Sequence, residues 1–144
     1  MKLSEFDFRI WDKTKEEFLK KEPTLIKIDN ERVIAGRISR FYANTADIAD
    51  MFIGNGNDLE LELFTGFCDK NGNKIYEGDI LYSFEDCPED EAFKYKVVLK
   101  EGAFYLVECG DNGEEYDEDL ISEFWLTELE IMGNIHENKE LLKQ

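Results

Sequence analysis

The feature that most constrains the fold is an alternation of apolar and charged residues with a period of two. In FKYKVVLK, residues 93–100, apolar side chains stand at positions 93, 95, 97 and 99, and lysines at 94, 96 and 100. Because successive side chains of a strand point to opposite faces, this pattern predicts a strand with one apolar and one basic face. Lys100-Glu101-Gly102 is typical of a turn, since glycine adopts a positive φ without strain, and AFYLVE predicts a second strand after it. We therefore expect a hairpin over residues 93–108.

Several other segments carry local signals. LIKIDNERVIAG, residues 25–36, predicts another hairpin, because two runs rich in Ile and Val flank turn-forming residues. NTADIADMF, residues 44–52, and DEDLISEFWL, residues 117–126, have apolar residues at helical spacing and predict short helices; the second has acidic residues in its first turn, where the helix dipole favours them. TELEIMGNIH, residues 127–136, returns to strand-like alternation, and NKELLK, residues 138–143, predicts a terminal helical turn.

Residues 64–81, FTGFCDKNGNKIYEGDIL, fit two structures, a calcium-binding loop and a hairpin. An EF-hand loop needs glycine at its sixth position and glutamate at its twelfth, but counted from Asp69 these are Lys74 and Ile80. Asn71-Gly72, in contrast, is a strong signal for a two-residue hairpin turn, because both residues tolerate a positive φ. We therefore expect a hairpin rather than a metal loop.

The two-residue turn also predicts a register for this hairpin. Opposite charges and apolar residues would then face each other, in the pairs Asp69 with Lys74, Cys68 with Ile75, and Phe67 with Tyr76. After the hairpin, Gly78 is expected to permit a bulge or bend, and Asp79 to accept hydrogen bonds from nearby backbone amides.

The net charge limits the classes of partner. The chain has 144 residues, the size of one ordinary domain or two very small ones, and its 34 acidic and 17 basic residues give a formal net charge of -17. Such a surface repels phosphates, which disfavours direct binding to nucleic acid and to anionic membranes. It is compatible with a basic protein partner and with carboxylates that mimic nucleic acid.

The sequence gives no support for export, membrane insertion or a disulfide framework. The amino terminus lacks the apolar core of a signal peptide, and no run approaches the roughly 20 apolar residues that span a bilayer. We expect a soluble intracellular protein. Its three cysteines, Cys68, Cys87 and Cys109, contain no CxxC pair, so we expect reduced thiols and neither disulfides nor a structural zinc site.

No group of residues predicts a catalytic, cofactor or metal site. His136 is the only histidine, and nothing in the sequence pairs it with a cysteine nucleophile. The acidic segments EDCPEDE, residues 85–91, and DNGEEYDED, residues 111–119, could hold a calcium or magnesium ion loosely, but their spacing defines no ligand set and favours solvated loops. Glycine-rich phosphate-binding motifs are absent from the sequence.

Three blocks carry a family resemblance: FDFRIWDK at residues 6–13, LFTGFCDKNGNKIYEGDIL at residues 63–81, and EIMGNIHENKELL at residues 130–142. Together, in this order and at these distances, they resemble the YopX family of small bacteriophage and prophage proteins. The middle block is similar to the family's TGL-DKNG-IYEGDI core. The sequence departs from the family at Phe67-Cys68, where leucine and a polar residue are frequent, and at His136, where tyrosine is usual.

The resemblance implies a mainly β fold of the β-rich α+β class, with a small SH3-like barrel or roll in the carboxy-terminal part. Together with the local signals, it predicts a hairpin-rich region with a short helix over residues 1–58 and an SH3-like region ending in a short helix over residues 59–144. It also implies a phage or prophage origin and a bacterial cytoplasm, and it supplies no catalytic residues.

Three functional hypotheses follow. The first is a non-enzymatic protein-interaction module that uses a barrel groove or an open strand edge; such edges would also permit a homo-oligomer. The second is an acidic decoy that occupies the nucleic-acid site of a host or phage protein. The third, with the least support, is a metal-dependent hydrolase.

Overall fold

A computed structural model describes residues 5–20, 24–28, 33–38, 52–53, 59–84 and 92–142. The chain divides into two compact units, Phe8–Glu62 and a second unit that combines Met1–Asp7 with Leu63–Gln144. Most of the described residues lie in strands, which confirms the predicted β-rich fold class. The predicted division into regions 1–58 and 59–144 stays a prediction, because compactness does not report independent folding.

The unit Phe8–Glu62 contains short antiparallel strands. They are β1 (Phe8–Asp12), β2 (Glu17–Phe18), β3 (Thr24–Ile28), β4 (Val33–Ile38), β5 (Phe52–Ile53) and the first part of β6 (Leu59–Cys68). β1 lies between β2 and β6, and a small core forms around buried Ile10 and Leu59. β4 pairs with β3 on one side and β5 on the other, so the hairpin predicted over residues 25–36 is confirmed, although residues 29–32 lie outside the described ones. Residues 44–51 of the predicted helix also lie outside them, and Phe52 belongs to β5.

The second unit continues β6 and adds most of the remaining strands. They are β7 (Lys74–Tyr76), β8 (Asp79–Ser83), β9 (Phe93–Lys100), β10 (Ala103–Cys109), β11 (Glu115–Leu120) and β12 (Leu129–Asn134), with helix α1 (Glu123–Leu126) and a 3-10 turn (Lys139–Leu142). Five of these strands form an antiparallel sheet in the order β11-β10-β9-β8-β12. β12 and the 3-10 turn confirm the alternation and terminal turn predicted for the last residues.

The hairpin predicted over residues 93–108 is confirmed as β9 and β10. Lys100 pairs with Ala103, and the two turn residues Glu101 and Gly102 have φ values of 52° and 82°, as a tight hairpin turn requires. Tyr95 lies against the main hydrophobic core, in which the buried side chains are Ile75, Leu81, Val97, Leu106, Ile121, Leu126 and Leu129. The alternation therefore predicts the core-facing side of β9 correctly along most of its length.

The start of β9 departs from the predicted pattern. Phe93 is 46% exposed, whereas Lys94, predicted on a solvated basic face, is only 8% exposed. The Lys94 ammonium lies 5.8 Å from the centroid of the Tyr82 ring and 3.9 Å from an Asp111 carboxylate oxygen. An aromatic face and a carboxylate together stabilise a cation out of water, which explains why the basic side chain is buried here.

The helix predicted over residues 117–126 is wrong in its first part. Residues 117–120 belong to β11, and the helix α1 is limited to Glu123–Leu126. The interaction of each acidic residue at the predicted start with a helix dipole would stabilise the helix by at most about 1 kcal/mol. Pairing with β10 instead gives their backbone a ladder of hydrogen bonds. Among the described residues, no helix has both the length and the apolar character needed to cross a membrane.

The hairpin predicted at Asn71-Gly72 is confirmed, but its predicted register is wrong. Cys68 pairs with Lys74, and the Asp69 amide donates to the Asn73 carbonyl over 2.9 Å, so three residues form the turn instead of two. The Asp69 carboxylate explains the difference, because it accepts hydrogen bonds from the Asn71 and Asn73 amides at 3.0 and 2.9 Å. The Asp69 carboxylate thus accepts hydrogen bonds from amides that, in a two-residue turn, would donate to backbone carbonyls.

A bulge in β6 shifts the register further. The next pair is Phe64 with Tyr76, since the Thr65 hydroxyl donates to the Ile75 carbonyl and accepts from the Phe67 amide. Gly66, inside the bulge, has a φ of 89°, a conformation that favours glycine. The two expectations for the following turn are confirmed: Gly78 has a φ of 86°, and the Asp79 carboxylate accepts from the Tyr76 amide over 2.8 Å.

Candidate functional site

β11 forms an open edge of the five-stranded sheet. Within the described residues it pairs only with β10, and all of its residues, Glu115–Leu120, are exposed. The opposite edge, β12, differs because the loop between β6 and β7 covers it. There the Lys70 amide donates to the Leu129 carbonyl over 3.0 Å, and Asp69 accepts from the Ile131 amide over 3.0 Å.

The direction of the backbone groups of β11 follows from its register. The Ile121 amide donates to the Phe104 carbonyl over 3.1 Å, and Leu106 lies opposite Asp119. Residues of an antiparallel strand alternate between groups that bond the partner and groups that point away from it. The amide and carbonyl groups of Glu118 and Leu120 therefore point away from β10 and toward the open edge.

One face of β11 has charges of both signs. Lys100 Nζ lies 2.9 Å from a Glu118 carboxylate oxygen, and Lys96 forms a second ion pair with Glu115. Each pair reaches from β9 to β11 across β10. Large exposed side chains accompany them, since Leu120 is 57% and Tyr116 60% exposed. A hydrogen bond to the Glu114 carboxylate raises the pKa of Tyr116.

The other face of β11 borders a small acidic cleft, which we call the acidic cleft throughout. Its carboxylates come from Glu108, Asp117, Asp119 and Glu128, and its remaining lining residues are Ser83, Tyr95, Leu106 and Leu129. Leu106 and Leu129 are each 3% exposed, so the floor belongs to the hydrophobic core. The cleft volume of about 100 Å³ is well below the roughly 300–1,000 Å³ of small-molecule sites. It has the size for a single side chain.

A second and larger groove, of about 570 Å³, lies between the β6 bulge and α1. Its lining residues are Gly66, Phe67, Cys68, Asp69, Lys70, Glu123, Leu126 and Thr127. The Asp69 carboxylate is already occupied by three backbone amides, and Lys70 Nζ lies 3.4 Å from a Glu130 oxygen. Asp69 and Lys70 thus serve the local structure.

Comparison with known proteins agrees with the family suggested by the sequence blocks. The sequence model of the family described as YopX protein matches residues 7–143. The chain belongs to the YopX family. This family member shares its fold with protein EF1440 from Enterococcus faecalis, known from a crystal structure, at 24% identity and a TM-score of 0.60 over 95% of this chain and 97% of that one. No curated protein matches the chain.

The cysteines and the histidine of this YopX family member are dispersed. Cys68 is exposed on β6, whereas Cys109 is buried in β10, where desolvation raises the pKa of its thiol; Cys87 lies outside the described residues. His136 is partly buried in the turn after β12, where its amide donates to the Asn134 side chain over 3.0 Å. In the described part of the chain, no three or more His, Cys, Asp or Glu side chains are grouped so that they could hold a metal ion.

The structure describes only one of the two acidic segments that were predicted to be solvated loops. Residues 85–91 lie outside the described ones, and residues 111–119, expected as a solvated loop, form a turn only up to Glu114 and then enter β11. Sequence reasoning missed this strand because both of its faces are exposed, so it has no apolar alternation. The signal that could have found it is the lysine row of β9, whose charges Glu115 and Glu118 complement.

Proposed function

We propose that this YopX family member is a non-enzymatic protein-interaction module that binds an extended polypeptide segment along β11. The observation that supports this most directly is the open edge, at which the backbone groups of Glu118 and Leu120 point away from the sheet. An extended segment that adds a strand there gains main-chain hydrogen bonds, and its alternate side chains contact the two faces of β11. Exposed Leu120 and Tyr116 provide apolar contact area beside those bonds.

The charges near β11 favour this function over an acidic decoy. A nucleic-acid mimic needs a continuous stripe of carboxylates, but Lys96 and Lys100 interrupt the acidic side chains of Glu115 and Glu118 on one face. A metal-dependent hydrolase would need several ligand side chains that converge on one metal ion. Among the described residues, no three or more His, Cys, Asp or Glu side chains are grouped in that way. In this proposal the five-stranded sheet is the SH3-like part, and the protein is of phage or prophage origin and acts in the cytoplasm of a bacterial host.

The test uses a random-peptide display library selected on the immobilised full chain. The affinities of the selected peptides are then measured for the wild type and two variants. Glu118→Pro removes an amide donor that points outward and leaves the hydrogen bonds to β10 in place. Glu118→Gln keeps that donor and removes the charge. We expect Glu118→Gln to bind within about threefold of the wild type and Glu118→Pro to lose roughly tenfold or more, since a lost backbone bond with its steric block exceeds a lost surface charge.

Two results would overturn the proposal. One is a library that yields no enriched peptide, and the other is a set of peptides that bind Glu118→Pro as tightly as Glu118→Gln. Thermal unfolding of both variants confirms that they are folded. If Glu118→Pro does not fold, backbone amide NMR shifts of the wild type decide, because strand addition must perturb Glu118 and Leu120.

A further inference from the structure

Resting on the proposed function, we infer that the segment docked on β11 is basic, and that one of its lysine or arginine side chains enters the acidic cleft. The cleft and the open edge are continuous, because Asp117 and Asp119 belong to β11 and also line the cleft. Side chains of a segment that pairs with β11 therefore lie directly beside the acidic cleft.

The register of β11 assigns the position of the basic residue. Side chains directly opposite each other in paired strands lie on the same face of the sheet. A partner residue opposite Asp119 therefore points toward the cleft, and a neighbour opposite Leu120 points to the other face, beside a side chain that is 57% exposed. The docked segment thus has a basic residue next to an apolar one.

The chemistry of the acidic cleft fits a long cationic side chain. Leu106 and Leu129 supply an apolar floor for the methylene stem, while carboxylates on both sides receive the charged head. These carboxylates do not converge on one point, since the described residues contain no group able to hold a metal ion. The arrangement suits an extended ammonium or guanidinium side chain better than a compact ion.

Charge also excludes a second copy of this chain as the occupant. If β11 paired with β11 of another copy, carboxylates would stand opposite carboxylates, an arrangement that destabilises a strand pair. Two chains with a net charge of -17 also repel each other before contact. The occupant is therefore a segment of a different, basic protein.

Three acetylated eight-residue peptides test the inference on the full chain: alternating lysine and valine, alternating glutamate and valine, and the lysine peptide with N-methylated valines. Dissociation constants are measured by calorimetry at two salt concentrations. We expect the lysine peptide to bind with an affinity that falls as salt rises, and the other two to bind at least about tenfold more weakly.

A pair of double variants tests whether the carboxylates of the acidic cleft are the ones that attract the lysine peptide. Asp117→Asn with Asp119→Asn removes two carboxylates of the cleft, and the control, Glu101→Gln with Glu137→Gln, removes two exposed carboxylates outside it. We expect the cleft variant to weaken the lysine peptide roughly tenfold and the control about threefold or less.

The possible failures are distinguishable. Equal binding of the glutamate peptide, or equal loss in the two double variants, overturns the basic partner and leaves the docking edge intact. Full binding of the N-methylated lysine peptide overturns strand addition itself, and the proposed function with it. Absence of binding by the lysine peptide overturns the inference, because this peptide satisfies both of its requirements.

Discussion

At the scale of the residue, Asp69 determines how one hairpin turns and what it contacts. It is only 6% exposed, and its carboxylate accepts hydrogen bonds from the amides of Asn71, Asn73 and Ile131. Burial raises the pKa of Asp69, but these hydrogen bonds outweigh it and hold the pKa below its usual range. The ionised side chain therefore joins the turn of the β6–β7 hairpin to β12.

Replacing this side chain tests its contribution to stability. Asp69→Asn puts an amide donor where backbone donors converge, so at least one buried amide loses its acceptor. We expect the free energy of unfolding to fall by roughly 1–3 kcal/mol in urea denaturation. The control is Glu137→Gln, an exposed glutamate for which a change within about 0.5 kcal/mol is expected; equal losses in the two variants would contradict the role of Asp69.

The lowered pKa of Asp69 also predicts a pH dependence. A carboxyl group whose pKa is lower in the folded than in the unfolded state stabilises the fold above the unfolded value, about 3.9, and that stabilisation is lost as the pH falls through the folded value. The difference in unfolding free energy between wild type and Asp69→Asn should therefore be largest at neutral pH and shrink below pH 4. A difference independent of pH would show that the charge of Asp69 is unimportant.

At the scale of the element, β11 is a strand because of its neighbour and not because of its own sequence. Residues 115–120, EYDEDL, have few strand formers and no apolar face. Their partners on β10 are Tyr105, Leu106 and Val107, with a bulge before Cys109 that accommodates the last pair, Cys109 with Glu115. Backbone pairing and the lysines of β9 together outweigh the weak helical signal.

Proline substitutions at adjacent positions test this pairing. The Asp119 amide points toward β10, whereas the Glu118 amide points away, so proline removes a ladder bond only at position 119. We expect Asp119→Pro to lower the free energy of unfolding by roughly 1–3 kcal/mol more than Glu118→Pro. Urea denaturation of the two variants measures this, and equal effects would show that the inferred direction of the backbone groups is wrong.

The elements that could be predicted from the sequence are those whose signals are local. The β9–β10 hairpin was found because alternation and a Glu-Gly turn adjoin each other in the chain. The register of the β6–β7 hairpin could not be predicted, because two side chains replace backbone groups in its hydrogen bonds. The Asp69 carboxylate accepts from the Asn73 amide, and the Thr65 hydroxyl donates to the Ile75 carbonyl. The candidate docking edge could not be predicted, since the place of β11 in the sheet depends on contacts with distant residues.

At the scale of the whole molecule, the excess of acidic residues protects an exposed edge. Open strands are templates for pairing with other chains, and charged side chains along them prevent this. β11 has Asp117, Glu118 and Asp119 in consecutive positions, all exposed, in a chain with a net charge of -17. The acidic edge thus disfavours association between copies, and in the proposed function the same charges attract a basic segment.

Neutralising the edge should therefore promote self-association. In the triple variant Asp117→Asn, Glu118→Gln, Asp119→Asn we expect light scattering to detect dimers or larger species at concentrations where the wild type does not change. The control variant Glu16→Gln, Glu101→Gln, Glu137→Gln has the same net charge and changes exposed residues outside β11. Similar association of both variants would attribute the effect to net charge and not to the edge.

The most direct test of the docking edge is amide hydrogen exchange along β11, with and without a bound extended peptide. The account predicts that binding slows exchange at Glu118 and Leu120, whose amides point outward, and leaves Asp119 and Ile121 nearly unchanged, because those amides already donate to β10. Protection that is absent from Glu118 and Leu120, or that lies mainly on another strand, would contradict it.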